Sequence, residues 1–125
     1  MKRDMDLIRK LGLAIEAATD HIDSSNLAID EFTPEQIGYH LVLMTESKLI
    51  VSVNTSTLGS TYPEMLITRL TSLGHDFVDA ARNDTVWKKA TAAIRTTVGT
   101  TTIAVLLEYL KAELRKTLGL GGAAP

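Results

Sequence analysis

The chain has no cysteine, which excludes a disulfide framework, a thiolate metal site and a cysteine nucleophile. That lack fits a reducing compartment, and a cytoplasmic protein is expected. Long apolar runs are missing too. Leu49–Pro63 carries no charge but is strand and turn in character, and Thr96–Leu107 is shorter than the ~20 residues a membrane-spanning helix needs. Asp4 and Asp6 fall where a secretory signal requires an unbroken apolar core, so neither export nor membrane insertion is expected. Glycine-rich phosphate loops, HExxH and G-x-S-x-G are absent, and Gly119, Gly121 and Gly122 belong to a tail. Basic residues are locally scarce: seven acids lie between Glu16 and Ser47 without one Lys or Arg. Between Arg82 and Thr96 the balance reverses, with Arg82, Lys88, Lys89 and Arg95 against Asp84 alone. Such polarity marks solvated faces, or patches that match a partner or a second copy.

What is present is ordinary for one soluble domain. The chain has 125 residues, 45% of them apolar and 22% charged, with net charge −2. A chain of this size buries about two-thirds of its unfolded surface. The spacing predicts a single domain over residues 1–118 and a flexible tail over 119–125.

Met5, Ile8, Leu11, Ile15, Ala18 and Ile22 recur at helical spacing, and Asp4 and Asp6 sit in the first turn of the helix they predict. DHIDSSN then reads as turn, and LAIDEF as a short strand or the remnant of a shortened helix. Thr33-Pro34-Glu35-Gln36 is a helix start with a cap, a first-turn proline and a capping-box glutamine. Behind it Ile37, His40, Leu41 and Met44 share an inward face. Leu49–Val53 is β-branched and reads as a strand, Asn54–Pro63 as a polar wing, and Met65–Leu70 as the return strand. Thr71 or Ser72 caps the next helix, whose inward stripe is Leu73, Phe77, Ala80 and Ala81. Asn83-Asp84-Thr85 opens another helix, carrying Trp87, Ala90, Ile94 and Val98. Gly99 and Thr100–Thr102 interrupt it before a last helix over about 102–118. The sum is a mostly helical α+β protein with a winged helix-turn-helix-like core, a short two- to three-stranded sheet and additional C-terminal helices.

Three blocks, MKRDMDLIRKLGLAIE, IGYHLVLMTESKLI and LTSLGHDFVDAARNDTVWKK, resemble the bacterial and prophage family catalogued as domain of unknown function 2513. The third is the most specific, and together they span most of Met1–Lys89. The resemblance implies a winged-helix-like fold and a phage or prophage setting, and no activity. Members tend to have tryptophan where Ser72 stands, an acid where Leu73 stands, and glycine where Lys48 stands. Lys48 must then accept a left-handed backbone or let the helix end differently.

In a winged helix, the helix before the wing enters the DNA major groove. Here its outward face is Glu35, Tyr39, Val42 and Glu46, with Leu43 on the shoulder, and it carries no cation to displace counterions at phosphates. Apolar side chains ringed by charge suit a protein partner, so protein–protein regulation is the first reading. A dimeric DNA-binding transcriptional regulator is the alternative, with Arg82, Lys88, Lys89 and Arg95, or Lys2, Arg3, Arg9 and Lys10, as the backbone-binding surface. Ile103, Leu106, Leu107, Leu110 and Leu114 form a stripe long enough to pair with a second copy, and a homodimer is expected through it, the alternative being that this helix folds back onto the first helix of its own chain. The histidines do not form a site. His40 reads as a hydrogen-bonded core residue, His21 as solvated between Asp20 and Asp23, and His75 as an ion-pair partner of Asp79. No enzymatic activity, cofactor, metal or small-molecule substrate is expected.

Overall fold

The computed structural model describes residues 1–97, 99 and 101–119, and packing divides the chain into two compact units, Met1–Val78 and Asp79–Pro125. Among the described residues, five helices and one three-stranded antiparallel sheet make the protein mostly helical α+β. Of the tail expected over 119–125, only Gly119 is described; Val98 and Thr100 also lie outside the described residues. No helix among the described residues is long and apolar enough to cross a membrane.

In the first unit, α1 (Met5–Ala17) starts at Asp4, whose carboxylate accepts the amides of Asp6 at 2.9 Å and Leu7 at 3.2 Å. Those are two of the donors a helix start leaves orphaned. Leu7, Ile8, Leu11 and Ile15 are buried, while Ala18, expected on the stripe, is exposed beyond the helix end. The next strand is β1 (Ile22–Asp23), not LAIDEF. Asp23 closes a turn by accepting from the amides of Ser25 and Asn26 and from the Ser25 hydroxyl. The Ser25 hydroxyl bond holds the Asp23 carboxyl below its ordinary range. Within LAIDEF, Leu27 is buried but the segment is turn and coil, because β3 takes its partner from Ile22–Asp23. Glu31 has φ 75° where the Phe32 amide returns to the Ile29 carbonyl at 3.2 Å.

Helix α2 (Pro34–Glu46) forms as its start signal dictates. Thr33 accepts the Gln36 amide at 3.1 Å, and the Gln36 side chain accepts the Thr33 amide at 2.9 Å. Its far end answers the question posed by Lys48. The Leu49 amide bonds the Met44 carbonyl and the Lys48 amide bonds the Thr45 carbonyl, with Lys48 at φ 66°. This is a Schellman ending with lysine in the left-handed position that glycine usually fills. A side chain there costs about 1–2 kcal/mol. Lys48→Gly is therefore expected to raise stability by about 0.5–1 kcal/mol after glycine's larger unfolded-state entropy is subtracted. The measurement is a higher urea midpoint at unchanged slope; a lower midpoint contradicts the assignment.

Strands β2 (Ile50–Asn54) and β3 (Met65–Leu70) form an antiparallel hairpin, and the sheet order is β1-β3-β2. Ile50 faces Leu70 and Asn54 faces Met65, with a bulge beside Val51/Ser52. Beyond β1 the Ser24 amide bonds the Met65 carbonyl at 2.9 Å, and the buried Ser24 hydroxyl accepts the Met65 amide at 3.1 Å. Thr45 donates to the Leu41 carbonyl at 2.8 Å, so its 2.8 Å contact with Ser52 has the Ser52 hydroxyl as donor, tying α2 to β2.

Helix α3 (Ser72–Ala81) is capped by Thr71, whose hydroxyl accepts the Gly74 amide at 2.9 Å. Its buried residues are Gly74, Phe77, Val78, Ala80 and Ala81. Leu73 alone of the expected stripe is exposed, at 39%, because its neighbour Gly74 occupies the close approach. A side-chain carbon on Gly74 would meet the Leu49 carbonyl oxygen at 2.0 Å.

The second unit holds α4 (Asp84–Thr97) and α5 (Ile103–Thr117), which pack along each other. Asn83 caps α4 by accepting the Val86 amide at 3.0 Å, and Thr102 caps α5 by accepting the Val105 amide at 3.2 Å. Between them Gly99, at φ 82°, turns its amide back to the Ile94 carbonyl at 2.9 Å. Val86, Trp87, Ala90 and Ile94 are the buried face of α4.

Candidate interaction surface

Helix α2 positions the surface singled out by sequence. Ile37, Gly38, His40, Leu41 and Met44 are buried, which fixes the helix by its inner side. His40 fastens it further. A carbonyl only accepts, so the 2.7 Å contact to the Gln36 carbonyl puts a proton on Nδ1. That leaves Nε2 to accept the Asp4 amide at 2.8 Å, which ties the start of α1 to the middle of α2. The histidine is thus the hydrogen-bonded core residue expected.

On the opposite side Glu35, Tyr39, Val42 and Glu46 follow one another at steps of four, three and four residues, one stripe of a helix. Glu35 and Glu46 are exposed, while Tyr39, Val42 and Leu43 are half-buried. The Tyr39 and His40 rings meet edge to face, their centroids 5.6 Å apart at 86°, and Tyr39 is half-buried. No Lys or Arg lies on α2.

The basic residues fall into other places. Arg82, Lys88, Lys89 and Arg95 are all exposed, the last three on α4, and Arg82 pairs with Asp79 at 3.1 Å. That pair takes the carboxylate that spacing had assigned to His75. In the first unit Lys10 lies over the Phe32 ring at 5.6 Å. By unit, residues 1–78 hold six Lys or Arg against eleven Asp or Glu, and residues 79–125 hold seven against four.

The stripe expected to join two copies is placed otherwise. Ile103, Leu106, Leu107 and Leu110 are buried within the single chain and Leu114 is half-buried, so this face is not left for a partner. An amphipathic stripe records that something covers it, not what does.

His21 and His75 line an open cleft of about 340 Å³ with Glu16, Asp20, Thr68 and Arg69. Its charges are of both signs. Among the described residues no group of three or more His, Asp or Glu side chains is placed to hold a metal ion.

Sequence reasoning overlooked the hairpin's outer surface. Val51 is 38% exposed, Val53 53%, and Leu58 at the hairpin tip fully exposed. The alternation of Ile50 and Ser52 against Val51 and Val53 was the available signal.

Known proteins offer a family and no activity. A protein of Haemophilus influenzae named "Uncharacterized protein" is 32% identical over 114 residues, covering 89% of this chain and 90% of its own. No solved structure matches. Residues 2–101, from α1 through α4, match the family described as "Hypothetical protein (DUF2513)", and the chain belongs to that family.

Proposed function

We propose that the chain is a non-catalytic, winged-helix-like protein that acts by binding another protein through the outward face of α2. The observation that carries this reading is the make-up of that face: Tyr39, Val42 and Leu43 between exposed Glu35 and Glu46, with no cation. An apolar centre with a carboxylate at each end suits a partner that offers an apolar pocket with a basic rim. Set in a DNA groove, the same carboxylates would face phosphates and oppose binding. The order α1-β1-α2-β2-β3-α3 supports the winged-helix reading, with the β2–β3 hairpin as wing. A regulatory role in a phage or prophage, in the cytoplasm, is the setting that the resemblance and the missing cysteines favour.

A second reading, a DNA-binding regulator, draws on the exposed Lys88, Lys89 and Arg95 of α4 and on the basic balance of residues 79–125. It would place DNA on α4, not α2.

The test is a photo-crosslinking amino acid at Val42 in cells. A discrete protein adduct is expected, reduced about tenfold by the exposed charge reversals Glu35→Lys and Glu46→Lys together, which is about 1.4 kcal/mol of binding. A nucleic-acid adduct, no adduct, or one indifferent to the reversals contradicts the proposal.

A further inference from the structure

We infer that the free edge of β2 pairs with β2 of a second copy, antiparallel about a two-fold axis at Ser52. In the order β1-β3-β2, among the described residues, this strand has β3 on one side only. Printed on its backbone is an alternation that settles which groups face β3. The Leu49 carbonyl accepts from Thr71, the Val51 carbonyl from the Thr68 hydroxyl, and the Thr55 amide donates to Glu64. Odd-numbered residues therefore turn inward to β3, and the amides and carbonyls of Ile50, Ser52 and Asn54 turn outward.

Natural edges are blunted by a bulge in the edge strand, or by lysine, proline or inward charge; the bulge beside Val51/Ser52 puts its extra residue, Thr68, on β3 and leaves β2 regular. Ile50–Asn54 has none of these, and Val51 and Val53 stand exposed on the sheet face away from the Ser52–Thr45 bond to α2. The argument for a second copy is self-complementarity with charge. Pairing centred on Ser52 sets Val51 opposite the partner copy's Val53, and the reverse, so both valines are covered while outward groups bond one another. Residues 49–63 carry no charge, in a unit with eleven acids against six bases. Two copies meeting here avoid the repulsion that other acidic surfaces of this unit would bring. A five-residue strand pair is a small interface, so the dimer dissociates in the range of about 1–100 µM.

Sedimentation of the full chain across that range tests it. The mass is expected to rise from 13.6 kDa to about twice that, and Val53→Lys, which sets a charge on the mated face, is expected to weaken the dimer at least tenfold without unfolding the chain. In this cysteine-free chain, Val51→Cys with Val53→Cys is expected to give a disulfide-linked dimer on mild oxidation, because facing non-hydrogen-bonded positions lie about 4.5 Å apart. Either single variant is not, since its cysteines sit diagonally, about 7–8 Å apart. A chain monomeric throughout, a dimer indifferent to Val53→Lys, or a double variant that does not cross-link overturns the inference. None of these variants touches the outward face of α2, so the two proposals fail separately.

Discussion

Gly74→Ala is expected to cost about 4 kcal/mol, near the upper end for a single substitution. Helix propensity alone predicts the opposite sign, since alanine is better than glycine in a helix by about 1 kcal/mol. The clash decides: the new carbon would sit 2.0 Å from the Leu49 carbonyl oxygen and 3.0 Å from its carbon. That carbonyl has nowhere to go. It accepts the Thr71 amide at 2.9 Å, it follows the left-handed turn at Lys48, and the Thr71 hydroxyl holds the Lys48 carbonyl beside it. Relief requires α3 to lift from the start of β2, breaking the Thr71 bond. The melting temperature should fall by roughly 12–20 °C by circular dichroism. Gly59→Ala, whose nearest neighbour would be 3.9 Å away, serves as the contrast and should shift little. A Gly74→Ala protein within 1 kcal/mol of the parent would refute the close approach.

His40→Ala is expected to cost about 3 kcal/mol, from a cavity at a fully buried ring and from the stranded Asp4 amide. Because that amide belongs to the cap residue of α1, the loss should also be local: faster hydrogen exchange over Asp4–Leu11 than the global change explains. A cost below 1 kcal/mol with unchanged exchange would mean that the histidine does not hold α1 to α2.

The sequence was most legible where local chemistry is sufficient. The Thr33–Gln36 box predicted the start of α2 because every group in it bonds within four residues. The inward set of that helix followed from periodicity, and so did the exposure of Glu35 and Glu46. Legibility failed where a distant partner decides. Ile22–Asp23 becomes a strand only because Leu66 and Ile67, more than forty residues on, offer it an edge, so LAIDEF looked the better strand. Gly74 looked like a weak helix residue until the Leu49 carbonyl came against it. The α5 leucines advertised a buried stripe, but nothing in their spacing distinguishes burial within the chain from burial by a second copy. Lys48 is an intermediate case: the glycine that the resemblance implies there marked the position, and the backbone has the left-handed form with lysine in it.

We propose that the outward face of α2, apolar and acidic, meets protein and not phosphate. A salt titration of the full chain against random duplex DNA tests it most directly. At low salt and tens of micromolar protein, the account predicts no measurable retention of DNA. Binding that weakens steeply with salt, and falls further when Lys88, Lys89 and Arg95 become alanine, would contradict it and move the functional surface to α4.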